Sequence, residues 1–231
     1  MVEESLEAPR PSSPSIWSMM EAAFKEPLFT LSYLPPLRHL QQMAVCSAIV
    51  FDNGLFFKKQ TLRNRCHILS PNGTQTLVIP TVHTGGRSQP LGEVAIAYSD
   101  NWQQRHWRSL EAAYRRSPFF EFYEDDLRPI YQHRYELLTQ FNAALLGWLF
   151  NAFGITTPFR FSADTPGPEP AGGHDYRNLS ETGQPASGTA SPTYLQVFGA
   201  STGFVGGLSA ADALFNNGPA VRKAPFLQPP G

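Results

Sequence analysis

The chain has 231 residues, and its 18 Lys and Arg against 19 Asp and Glu give a net charge of −1 at pH 7. A chain of this length can bury the core of one domain or at most two, and near-neutral charge excludes a general attraction to nucleic acid, so any anion must be bound locally. No stretch reaches the roughly 18 apolar residues of a membrane helix, so no membrane insertion is expected.

Residues 1–28 are predicted to be a disordered extension, because the first part of this segment is acidic and rich in Pro and Ser. It lacks the basic and apolar regions of a secretory signal, and we therefore expect a cytoplasmic protein. Folded sequence begins at residue 29. Its first elements end at prolines or at a turn signature, and are predicted as a β-rich run over 29–33, a helix over 37–45 and a strand over 47–51.

The middle of the chain predicts a hairpin followed by two helices. The turn residues of 70–74 separate strands over 65–69 and 75–80. A short strand is expected over 93–98. A helix then runs from Asn101 through Arg116, and a longer one from near Asp126 to Phe153, where Gly154 is suited to a left-handed cap.

Residues 156–193 change in character, since more than half of them are Pro, Gly, Ser or Thr, and a long irregular loop is predicted. Asp175-Tyr176-Arg177 differs from the rest of this loop, because little else in it is charged or aromatic. The remaining elements are a strand over 194–198, a helix from Ser209 through Phe215 and a tail over 221–231. The predicted fold class is α+β, with a single domain over 29–220 in which two or three helices cover a mixed β-sheet.

The run from Lys58 to His67 is unusually polar for a segment that leads into a core strand. If residues 62–69 are extended, Arg63, Arg65 and His67 share one face and mostly apolar side chains lie on the other. Guanidinium groups match carboxylate and phosphate oxygens, so the run predicts a pocket for an anionic small molecule. The alternative is a solvated sheet face whose arginine head groups lie in water.

Asp52 and His106 are the candidates for proton transfer. Asp52 follows a buried strand, and it could orient an arginine, accept a hydrogen bond from a substrate hydroxyl or act as a general base; alternatively it closes a turn with Asn53 and Gly54. His106 lies in the apolar stripe of the 101–116 helix, where it is either a core histidine with satisfied nitrogens or a group that moves a proton.

Cys66 and His67 do not form a thiol–imidazole pair, because adjacent residues of a strand point to opposite faces. The apolar neighbours of Cys66 indicate a buried, inert thiol. The six histidines have no metal-ligand spacing, so no metal site is predicted. No Walker A, GxGxxG or GxSxG motif is present, and no cofactor is predicted.

Several blocks of this sequence together resemble the WbqC-like family of bacterial proteins. The blocks are Tyr33–Pro36, Asp52-Asn53, Lys59–Arg65, Asn101-Trp102, His106-Trp107, Glu111–Tyr114, Ser117–Phe120, Tyr123–Asp126, Gly154, Gln196–Phe198, Gly203-Phe204, Leu208-Ser209 and Leu214–Pro219. They span roughly residues 30–220. One departure is that relatives carry a His-Pro-Lys element after Asp175–Arg177, where this chain has Asn178–Glu181.

The family name comes from an association with O-antigen gene clusters, so the resemblance implies sugar or aminoacyl-sugar metabolism. The first hypothesis is therefore a transferase-like enzyme acting on an anionic or nucleotide-activated sugar or amino sugar in surface polysaccharide biosynthesis. The alternative is a non-catalytic binding or assembly factor that uses the same basic pocket. The candidate substrate-binding residues are Lys59, Gln60, Arg63, Asn64, Arg65, His67 and Tyr33; the candidate catalytic residues are Asp52 and His106.

Overall fold

The structure, a computed structural model, describes residues 27–82, 85, 88–162, 175–181, 193–223 and 226–227. Within these residues the chain forms one mixed α+β domain, as predicted. The strands are β1 (Leu28–Phe29), β2 (Ile49–Phe51), β3 (Arg65–Ser70), β4 (Gly73–Val78) and β5 (Phe159–Phe161). The helices are α1 (Leu37–Ala44), α2 (Trp102–Tyr114), α3 (Phe120–Gln132), α4 (Leu138–Phe153), α5 (Gly199–Thr202) and α6 (Ala210–Asn217). Short 3₁₀ turns cover Leu91–Glu93, Arg177–Ser180 and Gly218–Arg222.

Three of the strands form a small parallel sheet in the order β1-β2-β5. The central strand β2 is wholly apolar and buried, whereas β5 carries Arg160 and lies exposed at the edge. Parallel strands need long crossovers, and the crossover from β2 to β5 contains the hairpin and three helices. Because β5 lies within residues 156–193, the prediction of an irregular loop is wrong for that part. Residues 163–174 and 182–192 lie outside the described residues.

The predicted hairpin is confirmed: β3 and β4 pair antiparallel, with Arg65 opposite Val78 and Ser70 opposite Gly73. Cys66 and Ile68 are buried, as the alternation of a strand requires. The strand predicted over 93–98 does not form, and this segment contributes only isolated bridges. The parallel and antiparallel strands therefore lie in two separate sheets.

The long helix predicted from Asp126 to Phe153 is two helices, α3 and α4. Between them the backbone is drawn into pairing with a distant segment: Ile96 N donates to Glu136 O at 3.0 Å, and Leu138 N donates to Val94 O at 2.8 Å. An α-helix cannot continue through backbone groups that bond elsewhere. The predicted end of the second helix is confirmed, because Gly154 caps α4 with a φ of 70°.

The core lies where α2, α3, α4 and α6 meet. The ring of Phe215 in α6 lies 4.9 Å from that of Tyr114 and 5.0 Å from that of Phe120, measured between centroids. The helix predicted from Ser209 is confirmed, and Ser209 Oγ accepts a hydrogen bond from Ala211 N at 3.2 Å. The strand predicted over 194–198 is absent; those residues lead through a turn into α5.

Candidate functional site

Residues Thr61–Asn64 form a turn in front of β3, and the assumed extension of residues 62–69 is wrong in its first half. The backbone of Leu62 is used on both sides: its N–H donates to Ser180 O and its carbonyl accepts from Tyr33 N, each at 2.8 Å. Asn64 N donates back to Thr61 O at 3.4 Å. Arg63 therefore belongs to the turn and Arg65 to the strand, so strand alternation does not place them on one face.

Arg63 is fully buried, with 0% of its surface exposed. Its carbonyl accepts from Asn142 Nδ2 at 2.8 Å, which ties the turn to α4. The contacts of its guanidinium with other described residues are long: 3.5 Å to Glu181 Oε1 and 3.4 Å to Thr61 Oγ1. Its Nε has no hydrogen-bond partner among the described residues. Burial lowers the pKa of this group, against the opposing effect of Glu181.

Glu181 follows the 3₁₀ turn Arg177–Ser180, which is bonded to the Thr61–Asn64 turn through Ser180 O. It also pairs with Lys58, whose Nζ lies 2.7 Å from Glu181 Oε1. The hydrogen bond from Lys58 holds the pKa of the Glu181 carboxyl below its usual value. We refer to Lys58, Arg63 and Glu181 as the internal anion cluster, because two cations here contact one anion that belongs to the chain itself. Lys58 and Arg63 thus share the same oxygen of Glu181, Oε1, and the buried Arg63 has the longer contact. Sequence reasoning missed Glu181, because 118 positions separate it from Arg63.

The other predicted binding residues surround this turn at different depths. Lys59 and Gln60 are exposed. Asn64 is buried, and its Nδ2 donates to Ile79 O at 3.0 Å. Arg65 and His67 are half-buried on β3, and His67 Nδ1 lies 3.0 Å from Thr76 Oγ1. None of these residues lines the cavities beside α2 or the small one between Pro36 and Leu208.

The backbone next to the internal anion cluster is strained. Apart from glycines, the described residues with positive φ are Leu34, at 42°, and Gln60, at 66°. Gln60 immediately precedes the Thr61–Asn64 turn, and Leu34 follows Tyr33, whose N–H donates to Leu62 O. A non-glycine residue in this region costs of order 1–3 kcal/mol, and such strain is concentrated at ligand clamps and active sites.

Asp52 is buried and fully engaged. Its Oδ1 accepts from the backbone N–H groups of Gly54 and Leu55 at 3.0 and 3.2 Å, as a turn-closing aspartate does. Its Oδ2 accepts from Arg177 Nη1 at 2.9 Å. Two of the roles considered from the sequence, closing the turn and pairing with an arginine, describe the contacts of Asp52 in this structure.

Arg177 joins Asp52 to the segment that carries Glu181. Its Nε lies 2.9 Å from Asp175 Oδ1, and its Nη2 lies 2.6 Å from Asp175 Oδ2, a two-pronged contact with one carboxylate. These bonds raise the pKa of Arg177 and lower that of Asp175. Tyr176 N donates to Leu28 O at 2.8 Å. The conspicuous Asp175-Tyr176-Arg177 sequence thus fixes this segment against β1 and the end of β2.

His106 is buried on α2, with 2% of its surface exposed. Its Nδ1 lies 3.0 Å from the hydroxyl of Tyr33, which lies 2.8 Å from the hydroxyl of Tyr131. The ring is stacked against Tyr33 and meets the edge of Trp102. Burial, followed by the nearby charge of Arg105, lowers the pKa of His106 to about 4, so the imidazole is neutral at pH 7. The structure brings together two predicted site residues, Tyr33 and His106, inside the core.

Cys66 is buried, and desolvation raises the pKa of its thiol. A thiol in this state is a poor nucleophile. In the described part of the chain, no group of three or more His, Cys, Asp or Glu side chains could hold a metal ion. The described helices include none with both the length and the apolar character needed to cross a membrane.

Comparison with known proteins gives a family match. A sequence model described as the WbqC-like protein family matches residues 32–179. The chain is also similar to the uncharacterized protein Rv1507c of Mycobacterium tuberculosis, strain ATCC 25618 / H37Rv, with 28% identity over 134 residues. That alignment covers 58% of this chain and 58% of the relative, so the chain spans less than two thirds of the relative's length. No solved structure matches the chain.

Proposed function

The chain belongs to the WbqC-like protein family, and for this member we propose a binding function, in which Lys58 and Arg63 hold an anionic small molecule in the place of the Glu181 carboxylate. The ligand class is a sugar or amino-sugar derivative with a phosphate or carboxylate group, as inferred from the family resemblance. The anion would enter by displacing Glu181, which has 31% of its side chain exposed.

The observation that carries this proposal is the poor pairing of a fully buried guanidinium. A charge-assisted bond between a guanidinium and a carboxylate is usually 2.7–2.9 Å long, and an arginine can offer two parallel donors. Arg63 has one contact with Glu181, at 3.5 Å, and its Nε has no partner in the part of the chain that the structure describes. Burying a charge without good pairing is costly. A tetrahedral phosphate could reach both Lys58 and Arg63 without the constraint of the Glu181 backbone.

The strained backbone at Leu34 and Gln60 supports the same location. Leu34 follows Tyr33, whose N–H donates to Leu62 O, and Gln60 opens the turn that contains Arg63. Strain of this kind persists only where the surrounding structure holds it, and ligand clamps are one such place.

The state of the two proton-transfer candidates favours binding over the transferase hypothesis. A general base must come within about 3 Å of the proton that it takes, directly or through one water. Asp52 already accepts two backbone N–H groups and a guanidinium. His106 is buried between aromatic rings and bonded to Tyr33. Both groups are thus already bonded to other groups of this chain.

The decisive experiment removes the internal carboxylate. In Glu181→Ala the buried Arg63 loses its carboxylate, and we expect a loss of roughly 1.5–3 kcal/mol in the free energy of unfolding. Inorganic phosphate should restore stability by binding the folded state. We expect the rise in Tm with phosphate to be larger for Glu181→Ala than for the wild type, with phosphate affinity at least tenfold tighter by calorimetry.

Glu124→Ala is the matched control, because Glu124 also pairs with an arginine, Arg115, at 2.8 Å but near the surface. It should not change the response to phosphate. Lys58→Gln combined with Glu181→Ala should remove the gain in affinity. An equal response to phosphate in the wild type, Glu181→Ala and Glu124→Ala would overturn the proposal.

A further inference from the structure

A cleft between α2 and α3 shares no lining residue with the internal anion cluster. Its volume is about 630 Å³, within the 300–1,000 Å³ range of small-molecule sites. The wall includes Arg108 on α2, Arg128 on α3 and Arg134 just beyond α3. None of the residues predicted from the sequence as site residues lines it.

The cleft carries uncompensated positive charge. Asp100 and Glu111 also line it, but each is already paired: Asp100 with Arg105 and Glu111 with Arg115, both at 3.2 Å. Neither of those two arginines lines the cleft. The three lining arginines, Arg108, Arg128 and Arg134, have no carboxylate partner among the described residues. Because the whole chain has a net charge of −1, these three arginines are a local concentration of positive charge and of N–H donors.

Two of these arginines are held against aromatic rings. The guanidinium carbon of Arg128 lies 5.7 Å from the centre of the Trp107 ring, and that of Arg134 lies 4.5 Å from the centre of the Tyr98 ring. A cation–π contact attracts the cation without using its N–H donors. It therefore restricts the position of each side chain while leaving its hydrogen-bonding groups available to an anion. This reduces the ordering cost that long side chains otherwise add to binding.

We infer that the cleft binds a small molecule that carries a diphosphate group. Three guanidinium groups around one cavity match the charge and the number of acceptor oxygens of a diphosphate, whereas a single carboxylate would leave at least one arginine without a partner. Side-chain amides of Gln103, Gln104 and Gln132 complete the polar lining. They can hydrogen-bond the uncharged part of such a ligand.

The test uses inorganic pyrophosphate as the probe, with calorimetry at low ionic strength on the full chain. The wild type should bind it, and the double variant Arg128→Gln/Arg134→Gln should lose at least tenfold in affinity. ADP, a nucleoside diphosphate, should bind at least as tightly as pyrophosphate. Arg116→Gln is the matched control, because Arg116 is exposed, close to the end of α2 and outside the cleft; it should leave the affinity unchanged.

Two results would overturn the inference: no binding of pyrophosphate by the wild type, or an equal loss of affinity in Arg116→Gln and the double variant. Glu181→Ala separates this site from the internal anion cluster, since it should leave pyrophosphate affinity in the cleft unchanged. Amide chemical shifts locate the bound probe directly. Changes confined to α2 and α3 are the expected result, and changes confined to the turn at Thr61–Asn64 would contradict it.

Discussion

The Tyr33 hydroxyl lies 3.0 Å from Nδ1 of His106, and the two rings are stacked with their centres 5.7 Å apart. The imidazole also hydrogen-bonds the backbone at Val78, which raises its pKa against the larger effect of burial. A neutral imidazole has one donor and one acceptor nitrogen. With the proton on Nε2, Nδ1 accepts from the Tyr33 hydroxyl inside the core.

Tyr33→Phe should therefore destabilise the protein without creating a cavity. The substitution leaves Nδ1 of His106 buried without a donor and removes the partner of the Tyr131 hydroxyl. An unsatisfied buried polar group costs about 1–3 kcal/mol, and the loss should appear as a lower urea midpoint with an unchanged m-value. Tyr98→Phe is the control, because the Tyr98 hydroxyl is only partly buried and bonds the backbone of Tyr135. A smaller loss for Tyr33→Phe than for the control would contradict this account.

Asp212 should make stability depend on pH in the opposite sense to most carboxylates. It is buried in α6 and contacts the neutral groups of Tyr194, at 2.7 Å, and Gln196, at 3.1 Å. Burial raises its pKa from 3.8 to about 6. The folded state thus binds more protons than the unfolded state between these values, so this contribution is complete below pH 4 and is lost as pH rises through 6. The full loss is about 3 kcal/mol.

Asp212→Asn isolates that contribution. An amide keeps an oxygen for Tyr194 and offers an NH₂ where Asp212 Oδ1 has no partner among the described residues. Relative to Asp212→Asn, the wild type should lose stability between pH 4 and pH 6, and the difference should be constant above pH 7. The measurement is the free energy of unfolding in urea at each pH. Equal slopes for both proteins over this range would show that Asp212 titrates normally.

Two glycines should respond in opposite directions to alanine. Gly218 has a φ of 53°, and an added Cβ would lie 2.4 Å from the ring of Phe119, so Gly218→Ala should cost about 2–4 kcal/mol through strain and overpacking. Gly147 lies inside α4, and apart from its chain neighbours and the backbone of its own helix no described atom lies within 4 Å of an added Cβ. Gly147→Ala should stabilise by about 0.5–1 kcal/mol because alanine favours the helix. Chemical denaturation of both variants checks the sign of each effect.

Local signals explain which parts of the fold could be predicted. Asn72-Gly73 set the hairpin turn, and Gly154 ended α4, because each depends on the conformation of a few neighbouring residues. The break between α3 and α4 could not be seen, since it depends on pairing of residues 136–138 with residues 94–96. Strand β5 was missed because three residues among prolines and glycines acquire their structure from β2.

In the candidate site, too, features set by neighbouring residues could be predicted, whereas features set by distant contacts could not. Pattern alone located the polar run before β3 and the histidine on the apolar face of α2. It could not show that Arg63 leaves the strand, because the turn is set by bonds of Leu62 to Tyr33 and Ser180. The carboxylate of Glu181 and the facing arginines of α2 and α3 come together only through tertiary packing.

The order β1-β2-β5 has a consequence for biosynthesis. The ribosome makes β2 by residue 51, but its second neighbour ends at residue 161. At typical elongation rates, on the order of ten seconds pass between these points. Throughout that interval a buried apolar strand of the finished protein has one free edge, open to pairing with other chains. Slower translation after Phe51 should therefore increase the fraction of chains that require a chaperone before the sheet closes.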